Sequence, residues 1–290
     1  MEWVLSGILG LGVLLTQPFM STVPAANHAD IPAGSYRPIM RAVPDSYVAE
    51  AQAAMIFDRQ SQKILYAKNQ DKSLPIASLT KLMTAYIILR DHDLNEIVTI
   101  PNEVRSVQSD ASQILNMQPG EKLRLEDAVQ GLLIYSANDL AVGLAVWDSQ
   151  NQAAFVKKMN DVASELGMKN TVFRNPTGLD ELGHVSSAQD MLKLTHIVLS
   201  STTLERIVAR SSGSFTTLGG KKYAFPTTNK LLGNPVVIGV KTGYTEQAGQ
   251  CLITRSKKNG RELLTIVLNS PDRFQETQSM INLSFSQDYE

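Results

Sequence analysis

The strand-forming runs stand at the two ends of the chain, and that placement constrains the fold more than any other feature. Ala53-Ala54-Met55-Ile56-Phe57 and Lys63-Ile64-Leu65-Tyr66-Ala67 flank a polar run at 58–62, which predicts a hairpin with a longer loop. In the last third, residues 236–240 form a largely β-branched run. Cys251-Leu252-Ile253-Thr254 and Leu263-Leu264-Thr265-Ile266-Val267-Leu268 follow it, joined through Lys258-Asn259-Gly260. Asn-Gly between apolar runs is the strongest short hairpin signal. Between the two ends the period changes to helical. Leu79, Leu82, Met83, Tyr86 and Ile87 predict a helix beginning near Ser78. Residues 125–147 are helix-rich and apolar, with a polar interruption at 135–139. Phe155, Met159, Val162 and Leu166 give another helix, closed by Gly167. Ser186-Ser187 can cap a further one through Met191, Leu192, Leu194 and Ile197, and Pro119-Gly120-Glu121 reads as a turn. Strands, then helices, then strands predict an α+β fold. An antiparallel sheet is built from both ends and flanked by helices, with a helical subdomain from the middle of the chain.

The first residues stand apart. Between Trp3 and Thr16 the apolar residues are interrupted only by Ser6, Gly7, Gly10 and Gly12. That is short of the about 20 residues a transmembrane helix needs, and it suits the apolar core of a secretory signal peptide. Val23-Pro24-Ala25 supplies a small-residue cleavage pattern, whereas the extreme N-terminus carries Glu2 and no Lys or Arg. The segment 1–25 is therefore expected to be a signal peptide or an uncleaved anchor, 26–44 a Pro- and Ala-rich linker, and 45–290 the folded domain. Export to the periplasm or the cell exterior follows. Membrane contact would come only through an uncut leader, since 285–290 is too short and acidic to anchor.

Composition removes other classes. With 43% hydrophobic and 19% charged residues the chain is not a disordered tail, and Lys+Arg 27 against Asp+Glu 28 leaves no basic excess for nucleic acid. Cys251 is the sole cysteine, which excludes a disulfide framework and a cysteine-built zinc site. There is no HExxH, and His28, His92, His184 and His196 lack metal-ligand spacing, so no metal is expected. GxSxG, Walker and GxGxxG motifs are absent as well, so no organic cofactor is called for.

What remains is Ser78-Leu79-Thr80-Lys81 at a helix start. A spacing of i, i+3 puts both side chains on one face of the first turn. A serine hydroxyl needs a base to take its proton, and a neutral Lys81 amine can do so without any histidine. Neutrality near pH 7 requires a drop of about 3 units from about 10.4, roughly 4 kcal/mol. Burial supplies part of that. A second cation about 4 Å away would supply about 4 kcal/mol at an effective dielectric of 20. Alone, SxxK is equally met by a helix cap and a solvent-facing lysine. Ser136-Ala137-Asn138, at the break in the apolar stretch, is weaker still, because Ser149-Gln150-Asn151 matches the same pattern. Lys241-Thr242-Gly243, read as ending the strand at 236–240, can equally be a basic turn.

In combination, in this order and in these contexts, the three motifs resemble the set of penicillin-binding proteins and serine β-lactamases. The likeness extends from about Ala53 to Ser270. It includes Pro75-Ile76-Ala77-Ser78-Leu79-Thr80-Lys81, Asn175-Pro176-Thr177-Gly178-Leu179-Asp180, Thr228-Asn229-Lys230-Leu231-Leu232 and Ala248-Gly249-Gln250-Cys251-Leu252. The chain resembles the low-molecular-mass penicillin-binding proteins of the serine D-alanyl-D-alanine carboxypeptidase family. That resemblance implies a β-lactamase/DD-peptidase-like fold over 45–290 and an acyl-enzyme on Ser78, formed at the bond between the last two D-alanines of a peptidoglycan stem peptide. It further implies Lys81 as the base, Ser136 as a proton relay to the leaving amine, and Asn138 as a holder of the substrate backbone. Lys241 and Thr242 would bind the terminal carboxylate, Gly243 would let substrate approach, and the Ser78 and Tyr244 N–H groups would form the oxyanion hole. β-Lactams would acylate Ser78.

The alternatives are a DD-endopeptidase on cross-linked stems, a β-lactamase, and a non-catalytic sensor of cell wall or β-lactams. No ExxLN segment of class A β-lactamases lies between Ser136 and Lys241, and no motif member is missing. His184 and Asp180 are expected to be ordinary loop residues, Cys251 a core residue, and Arg255 an exposed strand residue.

Overall fold

The computed structural model describes residues 46–107 and 113–286, so the expected leader and linker lie outside the described residues. Strands β1 (Ala53–Asp58) and β2 (Lys63–Lys68) form the predicted antiparallel hairpin. A 3-10 turn at Ala77–Thr80 then runs into α1 (Lys81–Asp91). Seven of the first eight α1 residues are buried, Lys81 among them, so this is a core helix rather than a surface one. A short ribbon, β3 (Ile97–Thr99) with β4 (Lys122–Arg124), follows.

The apolar stretch breaks where its polar interruption predicts. Helix α2 (Leu125–Gln130) passes into a π-helical turn at Gly131–Tyr135. Ser136 then takes a left-handed conformation (φ 70°, ψ 32°) before α3 (Asn138–Ser149) begins. Such turns concentrate at functional sites. Helix α4 (Gln152–Glu165) is capped by Asn151, and Gly167 follows it at φ 63°. Ser187 caps α5 (Ala188–Ser200), its hydroxyl accepting the Asp190 N–H. Beyond α6 (Thr202–Val208), β5 (Ser212–Thr216) and β6 (Lys222–Pro226) make a second ribbon.

The chain then returns to the sheet through β7 (Val237–Thr245), β8 (Gly249–Lys258) and β9 (Arg261–Ser270), and ends in α7 (Arg273–Ser286). Asn259 and Gly260, at φ 51° and 80°, make the β8–β9 turn that the Asn-Gly pair predicts. The sheet order is β2-β1-β9-β8-β7, with Met55 opposite Ile266 where the two ends of the sequence meet. Neighbouring residues of β1 face opposite sides. Ile56 packs with Leu252, Val267 and Met280 of α7, whereas Phe57 meets the His196 ring of α5 at 4.9 Å. Helices thus cover both faces, which is why all six residues of β1 are buried.

Two local expectations change. Lys241-Thr242-Gly243 does not follow a strand; it lies inside β7, opposite Ile253, Leu252 and Cys251. Pairing with β8 and burial override the weak strand propensity of Lys and Gly. Arg255 is not an exposed strand residue: its guanidinium pairs with Glu262 at 2.7 Å and with Glu205. Cys251 is fully buried, as expected.

Candidate active site

The Ala77–Thr80 turn delivers Ser78 to the head of α1, three residues before Lys81. Lys81 is fully buried, and its Nζ has three neighbours: Asn138 Oδ1 at 2.7 Å, the Thr177 carbonyl oxygen at 2.7 Å and Ser78 Oγ at 2.8 Å. Amide and peptide oxygens only accept hydrogen bonds. A neutral amine has two N–H groups and one lone pair. The two carbonyl oxygens take both N–H groups, which leaves the lone pair for the Ser78 hydroxyl proton. The geometry therefore suits Lys81 as a base toward Ser78 as well as position alone can arrange.

The electrostatics point the same way. Burial holds the Lys81 pKa well below its ordinary value, and the nearby charge of Lys241 lowers it further, while Asp139 pulls in the opposite direction. Lys241 is itself buried and brought down to about 7, first by desolvation and then by the charge of Arg273. Its Nζ donates to the Thr242 carbonyl at 3.0 Å.

Ser136 and Asn138 sit on either side of the turn that ends the π-helical segment, both buried. The left-handed Ser136 is what reverses the chain there, so that α3 starts with Asn138 facing Lys81. Asp139, next in α3, accepts the N–H groups of Leu115 and Met117 (2.9 Å for Met117), which ties the 113–117 segment to the same corner. Burial raises its pKa.

Strand β7 forms the opposite wall. A Cβ on Gly243 would lie 2.9 Å from the Ile76 carbonyl oxygen and 3.1 Å from Ser78 N, so only glycine lets this strand approach the nucleophile turn. Arg273 donates to the Gly243 carbonyl at 2.6 Å. The Thr242 hydroxyl lies 2.6 Å from that of Thr228, and the side chain of Tyr244 is exposed.

The loop 175–184 closes the third side. Thr177 supplies the carbonyl for Lys81, and Asp180 accepts from the Thr245 hydroxyl and the Gln247 N–H. Asn175 Nδ2 donates to Glu181 at 3.0 Å. His184 is buried, with Nε2 2.8 Å from Thr80 Oγ1. His184 and Asp180 are thus tied to the two walls of the site, which an ordinary loop role does not describe. Among the predicted residues, Ser78, Lys81 and Asn138 are in direct hydrogen-bond contact. Gly243 is packed against that group, and Lys241 is coupled to it by charge.

Sequence reasoning missed Thr177, Asp139, Thr80, Thr228 and Arg273. Thr177 acts through a backbone carbonyl, which has no side-chain signature; the adjoining Gly178 was the available clue. Among the described residues no group of three or more His, Cys, Asp or Glu is arranged to hold a metal ion, and no helix is long and apolar enough to cross a membrane.

The chain is similar to known proteins over most of its length. The family profile described as D-alanyl-D-alanine carboxypeptidase matches residues 40–272. D-alanyl-D-alanine carboxypeptidase DacF of Bacillus subtilis is 36% identical over 82% of this chain; the match spans 63% of that relative's length, less than two thirds. A D-alanyl-D-alanine endopeptidase of Pseudomonas aeruginosa is also 36% identical, over 75% of this chain and 71% of its own. An ampicillin-bound penicillin-binding protein of Listeria monocytogenes superposes with a TM-score of 0.70 at 29% identity, covering 83% of this chain and all of that one.

Proposed function

Because the chain belongs to the D-alanyl-D-alanine carboxypeptidase family, we propose that it is a serine-type hydrolase that trims D-alanine from peptidoglycan stem peptides. The observation that carries the reading is the Lys81 amine, whose two N–H groups face carbonyl oxygens while Ser78 Oγ lies on its remaining side. Ser78 Oγ attacks the carbonyl between the last two D-alanines as its proton passes to Lys81. Developing charge on the carbonyl oxygen meets the N–H groups of Ser78 and Tyr244. The C–N bond breaks as Ser136 hands its hydroxyl proton to the departing amine and takes in its place the proton that Lys81 received, which leaves Lys81 neutral again. D-Alanine leaves, and water then hydrolyses the ester to free Ser78.

Lys241 and Thr242 bind the terminal carboxylate. Asn138, whose Oδ1 holds Lys81, offers its Nδ2 to a substrate carbonyl. β-Lactams enter as substrate mimics and acylate Ser78. Residues 45–290 form the catalytic domain, and 1–25 exports it, cut or uncut, with 26–44 as the linker. The substrate then lies where the domain is delivered, in the periplasm or outside the cell.

Free D-alanine measured after incubation with a D-Ala-D-Ala pentapeptide tests this. Release by the native chain and none by Ser78→Ala is the expected result, and no release by the native chain would sink the carboxypeptidase assignment. The likeness to a D-alanyl-D-alanine endopeptidase favours a second reading, cleavage of cross-linked stems. Cross-linked muropeptides offered beside the pentapeptide distinguish the two. A β-lactamase would turn over penicillin; a stable penicillin adduct on Ser78 excludes it.

A further inference from the structure

One peptide group lies between the two walls of the site. The Ala77–Ser78 peptide is trans, so its carbonyl and its N–H are fixed in one plane and point in opposite directions. The carbonyl end lies against the loop: a Cβ on Gly178 would fall 1.9 Å from Ala77 O. The N–H end lies toward β7, where a Cβ on Gly243 would come within 3.1 Å of Ser78 N. Ala77 holds this orientation at φ 48°, a left-handed conformation that a non-glycine residue adopts only where its surroundings enforce it.

The enforcing contacts form a chain. The Arg174 N–H donates to His184 Nδ1 at 3.2 Å, so Nδ1 carries no proton. The neutral ring then has its proton on Nε2, which donates to Thr80 Oγ1 at 2.8 Å. The Thr80 hydroxyl is left to donate to the Ala77 carbonyl, also at 2.8 Å. Both His184 and Thr80 are buried, and the His184 ring is braced edge-on by Phe173. Burial keeps the imidazole neutral down to about pH 4, with Glu181, Asp180, Lys81 and Arg174 as the titratable groups around it.

We propose that His184 and Thr80 are positioning residues for the oxyanion hole, aiming the Ser78 N–H by holding the opposite end of its peptide group. This rests on the assignment of that N–H as an oxyanion donor. It gives the 175–184 loop a catalytic consequence without any loop side chain touching substrate.

The test measures penicillin acylation of Ser78, separating the maximal acylation rate from the half-saturating concentration. Adduct stoichiometry by mass gives the competent fraction. In Thr80→Val and His184→Phe the maximal rate should fall on the order of 10²-fold, as for a donor misplaced by about 1 Å, with half-saturation changed by less than about threefold. Thr80→Ser and His184→Gln, which restore the donors, should recover the rate to within about threefold of native. A native rate in folded Thr80→Val and His184→Phe, or a loss confined to half-saturation, overturns the proposal. Nitrogen NMR of the native chain tests it without any variant: His184 protonated on Nδ1 rather than Nε2 would overturn it too. Failure of the native chain to be acylated or to release D-alanine would instead remove the oxyanion assignment itself.

Discussion

Lys81 Nζ and Asn138 Oδ1 lie 2.7 Å apart, so the buried amine faces an amide oxygen and no carboxylate. That choice of acceptor matters because a carboxylate in the same place would favour the ammonium form. Asn138→Asp changes one atom of the side chain. It should raise the Lys81 pKa by about 1–3 units, moving the acid limb of activity up by that amount and cutting acylation at pH 7 by about 10-fold or more. Stopped-flow acylation across pH checks it; an unmoved limb would show that Lys81 is not the titrating base.

Lys241 should act on the same limb through charge. Its cation lowers the Lys81 pKa, second only to burial. In Lys241→Gln that push is gone, so Lys81 holds its proton to higher pH and the acid limb of kcat/KM shifts upward. Asp139 raises the Lys81 pKa, so Asp139→Asn should move the limb downward. Opposite displacements in the two pH profiles are the expected outcome.

Gly243→Ala tests the close approach of β7. The added methyl meets backbone on two sides, the Ile76 carbonyl oxygen and Ser78 N, and backbone cannot rotate away as a side chain can. Strand and turn must separate. The expected stability loss is about 1–3 kcal/mol. Acylation should fall far more, on the order of 10²-fold, because the two walls of the site move apart. Thermal melts and labelled-penicillin acylation measure the two effects separately.

Stability should fall on acidification before most carboxylates protonate. His184 and His196 are each held at about 4 by burial, against about 6.5 in the unfolded chain. A base whose folded pKa is lowered binds its proton first in the unfolded state. Stability is therefore lost as pH falls from about 6.5 to about 4, each histidine contributing on the order of 3 kcal/mol. His196 packs edge-on against Phe57 and is not among the proposed catalytic groups. Denaturant unfolding of His196→Gln across that window should show a slope shallower than native by one proton, ~1.4 kcal/mol per pH unit.

Much of this was legible in the sequence because strong local signals coincide with global ones. The Asn259-Gly260 turn, the break at Ser136 and the SxxK turn are each set by residues within a few positions. Elements without that support were not legible. The ribbons β3–β4 and β5–β6 have strands of three to five residues, too short for a period to register. The end of β7 was misread because Lys241 and Gly243 are poor strand formers held in place by β8. Arg255 showed no sign of its partner Glu205, which lies on α6, far away in sequence. The loop 175–184 works through a carbonyl, a glycine and a neutral histidine, none of which announces a role until its neighbours are known.

The pairing of β1 with β9 sets an order of events in time. Ser78 follows β2, whereas Gly243 lies on β7, and the two meet only when β9 has slotted between β1 and β8. Contacts so distant along the chain form slowly, since a long loop must close before they stabilise anything. A chain emerging N-terminus first carries its nucleophile early and its opposite wall late. Completion of the site therefore waits for the last strand, so an unfinished polypeptide carries Ser78 without the wall that Gly243 brings to it.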